Sequence, residues 1–225
     1  MPGTANATVG RSSVWTLDDV AYDPATHTSK LPGGQDVPHV TGVLRALGIS
    51  EGFAHVDPRV IAQAGARGTA VHADCHAYDD DDLDWDVVDD RVRPYVEAWA
   101  TFRLHKQLVP ESRERRLYHP TYNYTGIMDG IFTGGVQVDI KTGNPENSAG
   151  HLQTAAYACA YNYKLHVPRR CSGRLAVWLR PERRVPYTIY DYGKRPDGRL
   201  DESTWFACLT AYAQQAVRRP ATRFV

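Results

Sequence analysis

Two aspartates and a lysine lie close together in the middle of the chain, around a short glycine turn. Asp129 lies in the first of two short apolar runs, and Asp139 and Lys141 lie in the second. Gly134 and Gly135 separate the two runs. Apolar runs with this spacing around a pair of glycines predict a β-hairpin. The hairpin would bring carboxylates and an ammonium group into one small region of the fold.

The length of the hairpin loop decides which side chains share a face of the sheet. A two-residue loop pairs Asp129 with Ile140 and leaves Asp139 on the opposite face. A three-residue loop at 133–135 pairs Asp129 with Asp139 and keeps Lys141 on their face. It also collects five apolar side chains on the other face: Met128, Phe132, Val136, Val138 and Ile140. We favour the three-residue loop because it separates polar from apolar side chains.

Adjacent carboxylates repel each other unless a cation lies between them, so without metal at least one of the two should have a raised pKa. The arrangement therefore predicts a divalent metal site with a lysine beside it. The alternative is an ordinary solvated ion pair between Asp139 and Lys141. The chain has five lysines among its 26 basic residues, and only Lys141 has an acid two positions earlier. Because arginine is otherwise the usual cation, this lysine favours the metal site, where a compact point charge is useful.

Two further segments strengthen the hypothesis of a metal site. His72 lies in a predicted helix that Asp57 would cap and Pro58 would begin. Gln153 and Tyr157 lie four residues apart in an alanine-rich run, so they share one face of a predicted helix.

Five short motifs occur in order along the chain. They read G-T-x-x-H from Gly68, E-x-x-x-x-H-P from Glu114, G-x-x-D-G from Gly126, V-D-I-K-T-G from Val138 and L-Q-x-x-x-Y from Leu152. Their order and spacing resemble the RecB-like branch of the PD-(D/E)XK nuclease superfamily, and most closely the small exonucleases carried by phages and prophages. The resemblance covers about residues 35–190. It implies an α/β fold with a restriction-endonuclease-like core, in which a small mixed β-sheet is flanked by helices.

The resemblance implies that His72, Asp129 and Asp139 bind one or two Mg²⁺ or Mn²⁺ ions, with the backbone carbonyl of Ile140 as a further ligand. Phosphodiester hydrolysis needs a water deprotonated near neutral pH and a stabilised pentacoordinate phosphate, and a hard divalent ion supplies both. Mg²⁺ keeps several waters and takes one or two carboxylates, which suits so few ligands. A histidine ligand favours Mn²⁺.

The resemblance also implies roles for the side chains beside the metal. Lys141 would orient the attacking water and offset the developing negative charge. Gln153 and Tyr157 would position the phosphate and brace the lysine. Glu114 matches the acidic position that precedes the hairpin, although Glu111 lies close enough to fill it instead.

The activity that the resemblance implies is metal-dependent hydrolysis of DNA from its ends, in phage or prophage recombination or repair. DNA would be the substrate and a single-strand annealing protein a partner. A structure-specific or nicking endonuclease of the same fold is the nearest alternative. A nucleic-acid-binding module without catalysis is disfavoured, because every expected position holds a competent residue.

A zinc-stabilised structural protein is an alternative from a different class. His72, Cys75 and His76 lie on consecutive turns of the predicted helix and could hold Zn²⁺. This set lacks a clear fourth ligand and leaves the hairpin carboxylates unexplained. Tyr157 and Tyr161 could likewise be core-facing aromatics of an amphipathic helix.

At 225 residues the chain suits one domain, with residues about 1–57 as an N-terminal accessory lobe. No apolar run approaches a membrane span, and the N-terminus lacks the hydrophobic segment of a signal peptide. The four cysteines (75, 159, 171 and 208) show no C-x-x-C pairing, so we expect reduced thiols in a cytoplasmic protein. Some members of the family that the chain resembles carry an iron–sulfur cluster on C-terminal cysteines. The spacing here does not match, and we expect no iron–sulfur cluster.

The formal net charge is zero, so composition alone does not indicate a nucleic-acid binder. The distribution is uneven, because 79–90 holds eight aspartates that we interpret as a solvated loop. The remainder is basic. Short arginine groups could line a groove for phosphates, at 113–116, 169–170, 183–184 and 218–219.

Hydrophobic periodicity and turn residues predict the elements that must position these side chains. Residues 1–35 are predicted to be turn-rich. Helices are expected at about 39–48, 58–77, 90–106 and 148–164, and from an Asp201 N-cap to about 216. Strands are expected at 114–119, 125–132 and 136–141, with a second hairpin at 175–180 and 185–190.

Overall fold

The computed structural model describes residues 15–50, 57–143, 149–163, 170–194 and 198–217, which form an α/β fold with two sheets. The small sheet has three strands: β1 (Ala21–Asp23), β2 (Thr28–Lys30) and β3 (Asp36–Val37). The large sheet has five strands: β4 (Pro110–His119), β5 (Tyr124–Phe132), β6 (Val136–Lys141), β7 (Gly173–Leu179) and β8 (Tyr187–Asp191). The helices are α1 (Val40–Ala46), α2 (Pro58–Asp79), α3 (Arg93–Lys106), α4 (Gly150–Asn162) and α5 (Gly198–Val217). A 3-10 turn covers Leu17–Asp19.

The strands of the large sheet follow chain order. β4, β5 and β6 form an antiparallel meander, because their short turns allow only hairpin connections. β7 runs parallel to β6, which requires a long crossover, and α4 lies within that crossover. β8 then returns antiparallel to β7. The crossover brings α4 against the face of β6 that carries Lys141, whose ammonium contacts Gln153.

Apolar side chains fill both faces of the large sheet. On one face, α1, α4 and α5 pack on β4 and β5, with Tyr124 and Trp205 fully buried between them. On the other face, α2 and α3 pack on β5, β6 and β7 around Trp99 and Phe102. Within the described residues, no helix is both long and apolar enough to cross a membrane.

The small sheet packs on the outer strand β4 of the large one. Tyr118 of β4 lies in a separate apolar cluster with Val20, Leu31 and Val37. Arg116 reinforces this contact by donating a hydrogen bond to the carbonyl of Val20 at 2.9 Å. α1, by contrast, belongs to the large core beneath α4.

The loop of the central hairpin confirms the register predicted from side-chain alternation. Phe132 pairs with Val136 and Gly130 pairs with Val138, which leaves 133–135 as a three-residue loop. Local alternation was sufficient to predict it, since only this loop length separates the charged side chains from most of the apolar ones.

The predicted grouping of apolar side chains is wrong at Met128. Met128 lies in the core beneath α4, whereas Phe132 lies in the core beneath α3 together with the apolar side chains of β6. The alternation of β5 breaks between these two residues. There the pairing of β4 with β5 skips Glu114 and Asp129, and Glu114 has a φ of 43°. Such a local irregularity re-aims side chains next to it.

Most predicted elements are confirmed with ends shifted by a few residues, and Asp57 caps α2 by accepting the Arg59 N–H at 2.8 Å. Residues 15–35 are turn-rich as predicted and also hold the short strands β1 and β2, and residues 1–14 lie outside the described part. One prediction is wrong. Asp201 does not cap α5, since the helix begins at Gly198 and the Asp201 carboxylate lies 2.8 Å from buried Arg174.

A glycine in β5 allows α4 to lie close to the sheet. A Cβ at Gly126 would lie 2.4 Å from Cε1 of Tyr157, which is buried. We therefore expect Gly126→Ala to lower the free energy of unfolding by about 1–3 kcal/mol, the usual cost of overpacking. Gly65→Ala is the matched control, because a Cβ at this exposed position of α2 would have nothing within 4 Å. This variant should raise the free energy of unfolding by up to about 1 kcal/mol. Urea denaturation of the three proteins checks this, and equal midpoints would contradict it.

Candidate active site

Asp129 connects the hairpin to helix α2. The pairing of β5 with β6 stops at Gly130 and Val138, so beyond it the side chain of Asp129 meets β6. Its Oδ2 accepts the backbone N–H of Ile140 at 2.7 Å. Nδ1 of His72 lies 3.6 Å from the same oxygen. The structure thus brings two of the predicted ligand side chains together.

Asp139 lies on β6 with its side chain only 1% exposed. Nζ of Lys141 lies 2.6 Å from its Oδ2. Neither carboxylate oxygen has a hydrogen-bond partner of suitable geometry among the described residues. Buried carboxylates in proteins normally accept several hydrogen bonds. The lone pairs of Asp139 are therefore available to a cation or to water.

Lys141 is held from its other side by helix α4. Its ammonium donates a hydrogen bond to Oε1 of Gln153 at 3.0 Å. Nε2 of Gln153 in turn donates to the hydroxyl of Tyr157 at 3.1 Å, one helical turn later. Three of the predicted catalytic side chains thus form one continuous hydrogen-bonded chain, which limits the positions that the ammonium can take.

The two aspartates have pKa values shifted in opposite directions. Burial raises the pKa of Asp139 to about 6, against the attraction of Lys141 and with repulsion from Asp129. Burial would also raise the pKa of Asp129, but His72, Lys141 and the N–H of Ile140 lower it to about 2. The expectation of one raised carboxyl pKa is confirmed. Its main cause is burial, with the second aspartate contributing less.

The pKa values of the two basic groups beside the aspartates are raised. Burial acts to lower the pKa of His72, but the neighbouring Asp129 raises it overall. Burial likewise acts to lower the pKa of Lys141, and Asp139 and Asp129 raise it overall. Lys141 is therefore a protonated, positively charged group at neutral pH, as electrostatic stabilisation of a phosphate requires.

We call His72, Asp129, Asp139 and Lys141 the charged cluster. Glu114 lies beside it and contacts a residue that the sequence assigned only to a zinc alternative. Its Oε1 lies 3.3 Å from Nδ1 of His76, one turn after His72 on α2. The Glu114 side chain is 66% exposed. Glu111, the other choice for this position, makes no ion pair within the described part of the chain. The i, i+4 spacing of the two histidines was the signal that could have found His76.

The zinc alternative is not supported by the position of its thiol. Cys75 is fully buried in the apolar core beneath α3, where burial raises its pKa well above the usual range. A thiol that resists ionisation in an apolar core is a poor zinc ligand, because zinc binds the thiolate. His72 and His76 instead contact carboxylates.

The described residues contain no group of three His, Cys, Asp or Glu side chains already gathered around a common point. The donor chemistry nevertheless fits a hard divalent ion. Asp139 offers two buried oxygens that accept no hydrogen bond of suitable geometry, with Lys141 as the ion-pair partner of Oδ2, and Asp129 and His72 lie beside each other. Ile140 contacts the cluster through its N–H, which Asp129 accepts. A cation near Asp139 would satisfy lone pairs that the protein leaves unsatisfied.

The cluster opens to solvent through His72, Lys141 and Asp129, whose side chains are 28%, 22% and 16% exposed. Two cavities lie elsewhere. One of about 900 Å³ lies beside Asp79 and Arg103, and one of about 460 Å³ lies beyond α4. No member of the cluster lines either cavity. A substrate would therefore approach the cluster from the surface rather than enter a deep pocket.

The raised pKa of Asp139 predicts how its amide variant behaves without metal. Because the pKa of Asp139 in the folded protein is about 6, ionising this carboxyl lowers the free energy of unfolding. The loss is absent below pH about 4 and complete above pH about 7. In EDTA at pH 8, Asp139→Asn removes this loss but also removes the attraction to Lys141. The variant should therefore be as stable as the wild type or more stable by about 1 kcal/mol. The difference should shrink at pH 5. Thermal unfolding at both pH values measures it.

The matched control is Asp201→Asn, which alters a buried carboxylate that pairs with Arg174 at 2.8 Å. Removing it leaves a buried guanidinium unpaired, so this variant should be less stable than the wild type at both pH values. If Asp139→Asn behaved in the same way, Asp139 would be a structural ion-pair partner of Lys141 rather than a destabilised carboxyl.

A scan against protein-family models finds no match to this chain, and a search of the curated proteins finds none either. No relative therefore supplies an activity or a set of site residues. The fold itself gathers six side chains that point to a function, which are His72, Asp129, Asp139, Lys141, Gln153 and Tyr157.

Proposed function

We propose that the chain is a divalent-metal-dependent deoxyribonuclease that hydrolyses phosphodiester bonds from DNA ends. One observation carries the proposal. The carboxylate of Asp139 is withdrawn from water and accepts no hydrogen bond of suitable geometry from the described residues, although the ammonium of Lys141 lies 2.6 Å from its Oδ2. In the buried ion pair of Asp79 with Arg103, one carboxylate oxygen accepts a hydrogen bond, whereas neither oxygen of Asp139 does, which leaves both available to a metal ion.

His72, Asp129 and Asp139 are the residues that would hold Mg²⁺ or Mn²⁺. Such an ion, when bound, lowers the pKa of a water and neutralises charge on the phosphate. Asp129 orients His72 and the backbone of β6 at the same time, through the two contacts of its Oδ2. Its lowered pKa keeps it ionised throughout the physiological range, as a ligand requires.

Lys141 supplies the fixed positive charge. Its ammonium lies between Asp139 and Gln153 and retains its proton because the carboxylates raise its pKa. In the reaction it donates a hydrogen bond to a phosphate oxygen as negative charge grows there, and it orients the attacking water. Gln153 and Tyr157 keep the ammonium in place, so little reorganisation is needed in the transition state.

The resemblance to phage and prophage exonucleases supports the finer assignment. It favours linear DNA ends as the substrate, a role in recombination or repair in the cytoplasm, and a single-strand annealing protein as a partner. The intact set of charged side chains disfavours a binding module without catalysis, because a module of that kind has no use for a buried, unsatisfied carboxylate.

Metal dependence is the direct test of this function. End-labelled linear DNA, single- and double-stranded, should be degraded in Mg²⁺ or Mn²⁺ and left intact in EDTA. The physical reason is that a bound divalent ion both promotes deprotonation of a water and neutralises charge on the phosphate. Gel electrophoresis of the products measures it. Full activity of the metal-stripped protein in EDTA would refute the proposal.

A covalently closed circular plasmid is the matched control substrate in the same assay. It should survive while linear DNA is shortened to small products. Rapid nicking of the circle would favour the endonuclease alternative and would leave the metal assignment in place.

Lys141→Arg tests the role of the ammonium. Arginine keeps the charge but spreads it over a wider planar group, which does not fit between Asp139 and Gln153 in the same way. We expect a loss of turnover of about 10²-fold or more, with DNA binding nearly unchanged. Lys106→Arg, at the exposed end of α3, is the control and should keep full turnover. Wild-type turnover in Lys141→Arg would exclude a catalytic role for Lys141.

A further inference from the structure

A cavity of about 460 Å³ lies on the outer side of α4, away from the charged cluster. It is formed by the turn between β4 and β5, the second half of α4 and the first turns of α5. Aromatic and basic side chains dominate its lining: His119, Tyr122, Tyr163, Arg170, Arg199 and Phe206. We call it the aromatic cavity. Its size lies within the range of sites that bind small ligands.

The rings of the aromatic cavity contact one another, and two of them are exposed. Tyr122 and Phe206 lie 4.2 Å apart between ring centroids at 32°, and His119 and Tyr163 lie 4.5 Å apart. The Tyr122 N–H donates to Nδ1 of His119 at 3.4 Å, and the Thr121 hydroxyl donates to that of Tyr163 at 3.2 Å. Yet Tyr122 is 49% exposed and Tyr163 is 44% exposed. The cavity therefore exposes aromatic rings whose positions are fixed by contacts with neighbouring rings and by hydrogen bonds.

The charges around these rings are positive in balance. Arg170 and Arg199 are exposed and have no ion-pair partner among the described residues. Arg174, deeper in the cavity, is buried and already pairs with Asp201 at 2.8 Å. Glu202 is the acidic side chain that lines the cavity. Two guanidinium groups without an ion-pair partner in the described part of the chain, beside open aromatic rings, match a ligand with flat rings and phosphate charge.

The aromatic cavity lies at a distance that a nucleic acid strand can span. His119, at its edge, lies five residues along β4 from Glu114, which adjoins the charged cluster. That separation is about 17 Å at the rise of an extended strand. It corresponds to about five stacked nucleotides at 3.4 Å each. One strand could therefore contact both places at once.

We propose that the aromatic cavity binds an unpaired nucleobase and its neighbouring phosphate, so that the protein engages single-stranded DNA near the hydrolytic site. The proposal rests on the proposed function for its substrate class. Bases stack on Tyr122 and Tyr163, and Arg170 and Arg199 meet the phosphates. Paired bases hide their faces within the duplex stack, so a duplex cannot use these rings without fraying.

The test is equilibrium binding of fluorescein-labelled dT12 in EDTA, measured by anisotropy, so that hydrolysis is not needed. Tyr122→Leu keeps apolar bulk but removes the ring, and it should weaken binding by about 5- to 150-fold. Tyr122→Phe keeps the ring and should bind like the wild type. Tyr190→Leu is the matched control, since Tyr190 is 41% exposed on β8 and does not line the cavity.

Arg199→Gln provides a second variant that leaves the rings in place. It should weaken dT12 binding and reduce the slope of log affinity against log salt by about one. A blunt duplex of twelve base pairs should bind without dependence on Tyr122. Melting temperatures of all variants establish that they are folded.

Wild-type affinity for dT12 in both Tyr122→Leu and Arg199→Gln would overturn the proposal, as would equal weakening by Tyr190→Leu. So would a duplex that depends on Tyr122 as strongly as dT12 does. A protein that binds dT12 through Tyr122 but hydrolyses no DNA would support the cavity and refute the nuclease. Hydrolysis without any dependence of binding on Tyr122 would support the nuclease and refute the cavity.

Discussion

The burial of Asp139 beside Lys141 is the constraint on which the site depends. A carboxylate only 1% exposed is costly to ionise, and its pKa of about 6 expresses that cost. Lys141 offsets part of that cost, and its ammonium has a second partner on the helix side. Gln153 supplies that partner, and Tyr157 fixes the amide of Gln153. Strand and helix are therefore connected through one chain of polar contacts, and a change at any member reaches the carboxylate.

This chain of contacts exists because α4 approaches the sheet closely. The parallel pairing of β6 with β7 requires a crossover, which brings a helix across the sheet. Gly126 then removes the side chain that would keep Tyr157 away from β5. The small residues of α4 act in the same direction, since Ala156 and Ala160 are buried in the core that α4 shares with β4 and β5. Topology gives the helix its place, and small side chains give it the necessary distance.

Local patterns predicted the parts of the site that depend on neighbours in sequence. The three-residue loop followed from alternation along two strands, and the face shared by Gln153 and Tyr157 followed from helical spacing. Contacts between distant elements were not predictable in this way. Met128 lies in the core beneath α4 rather than with Phe132, because the pairing of β5 with β4 is irregular. Glu114 on β4 contacts His76 on α2, which is distant in sequence. No local propensity reports such tertiary contacts, which depend on the relative placement of whole elements.

The acidic run at 79–90 changes the meaning of a net charge of zero. The interpretation of this run as a solvated loop is wrong for Asp79, whose buried side chain accepts the indole N–H of Trp99 at 3.1 Å and pairs with Arg103. Asp80, whose side chain is exposed, pairs with Arg113. These two arginines form ion pairs with the acidic run, so a count of basic residues overstates the positive charge available to phosphates. Among the described residues, the exposed guanidinium groups of the aromatic cavity have no ion-pair partner. Their positive charge can attract a polyanion that the whole-chain charge would not.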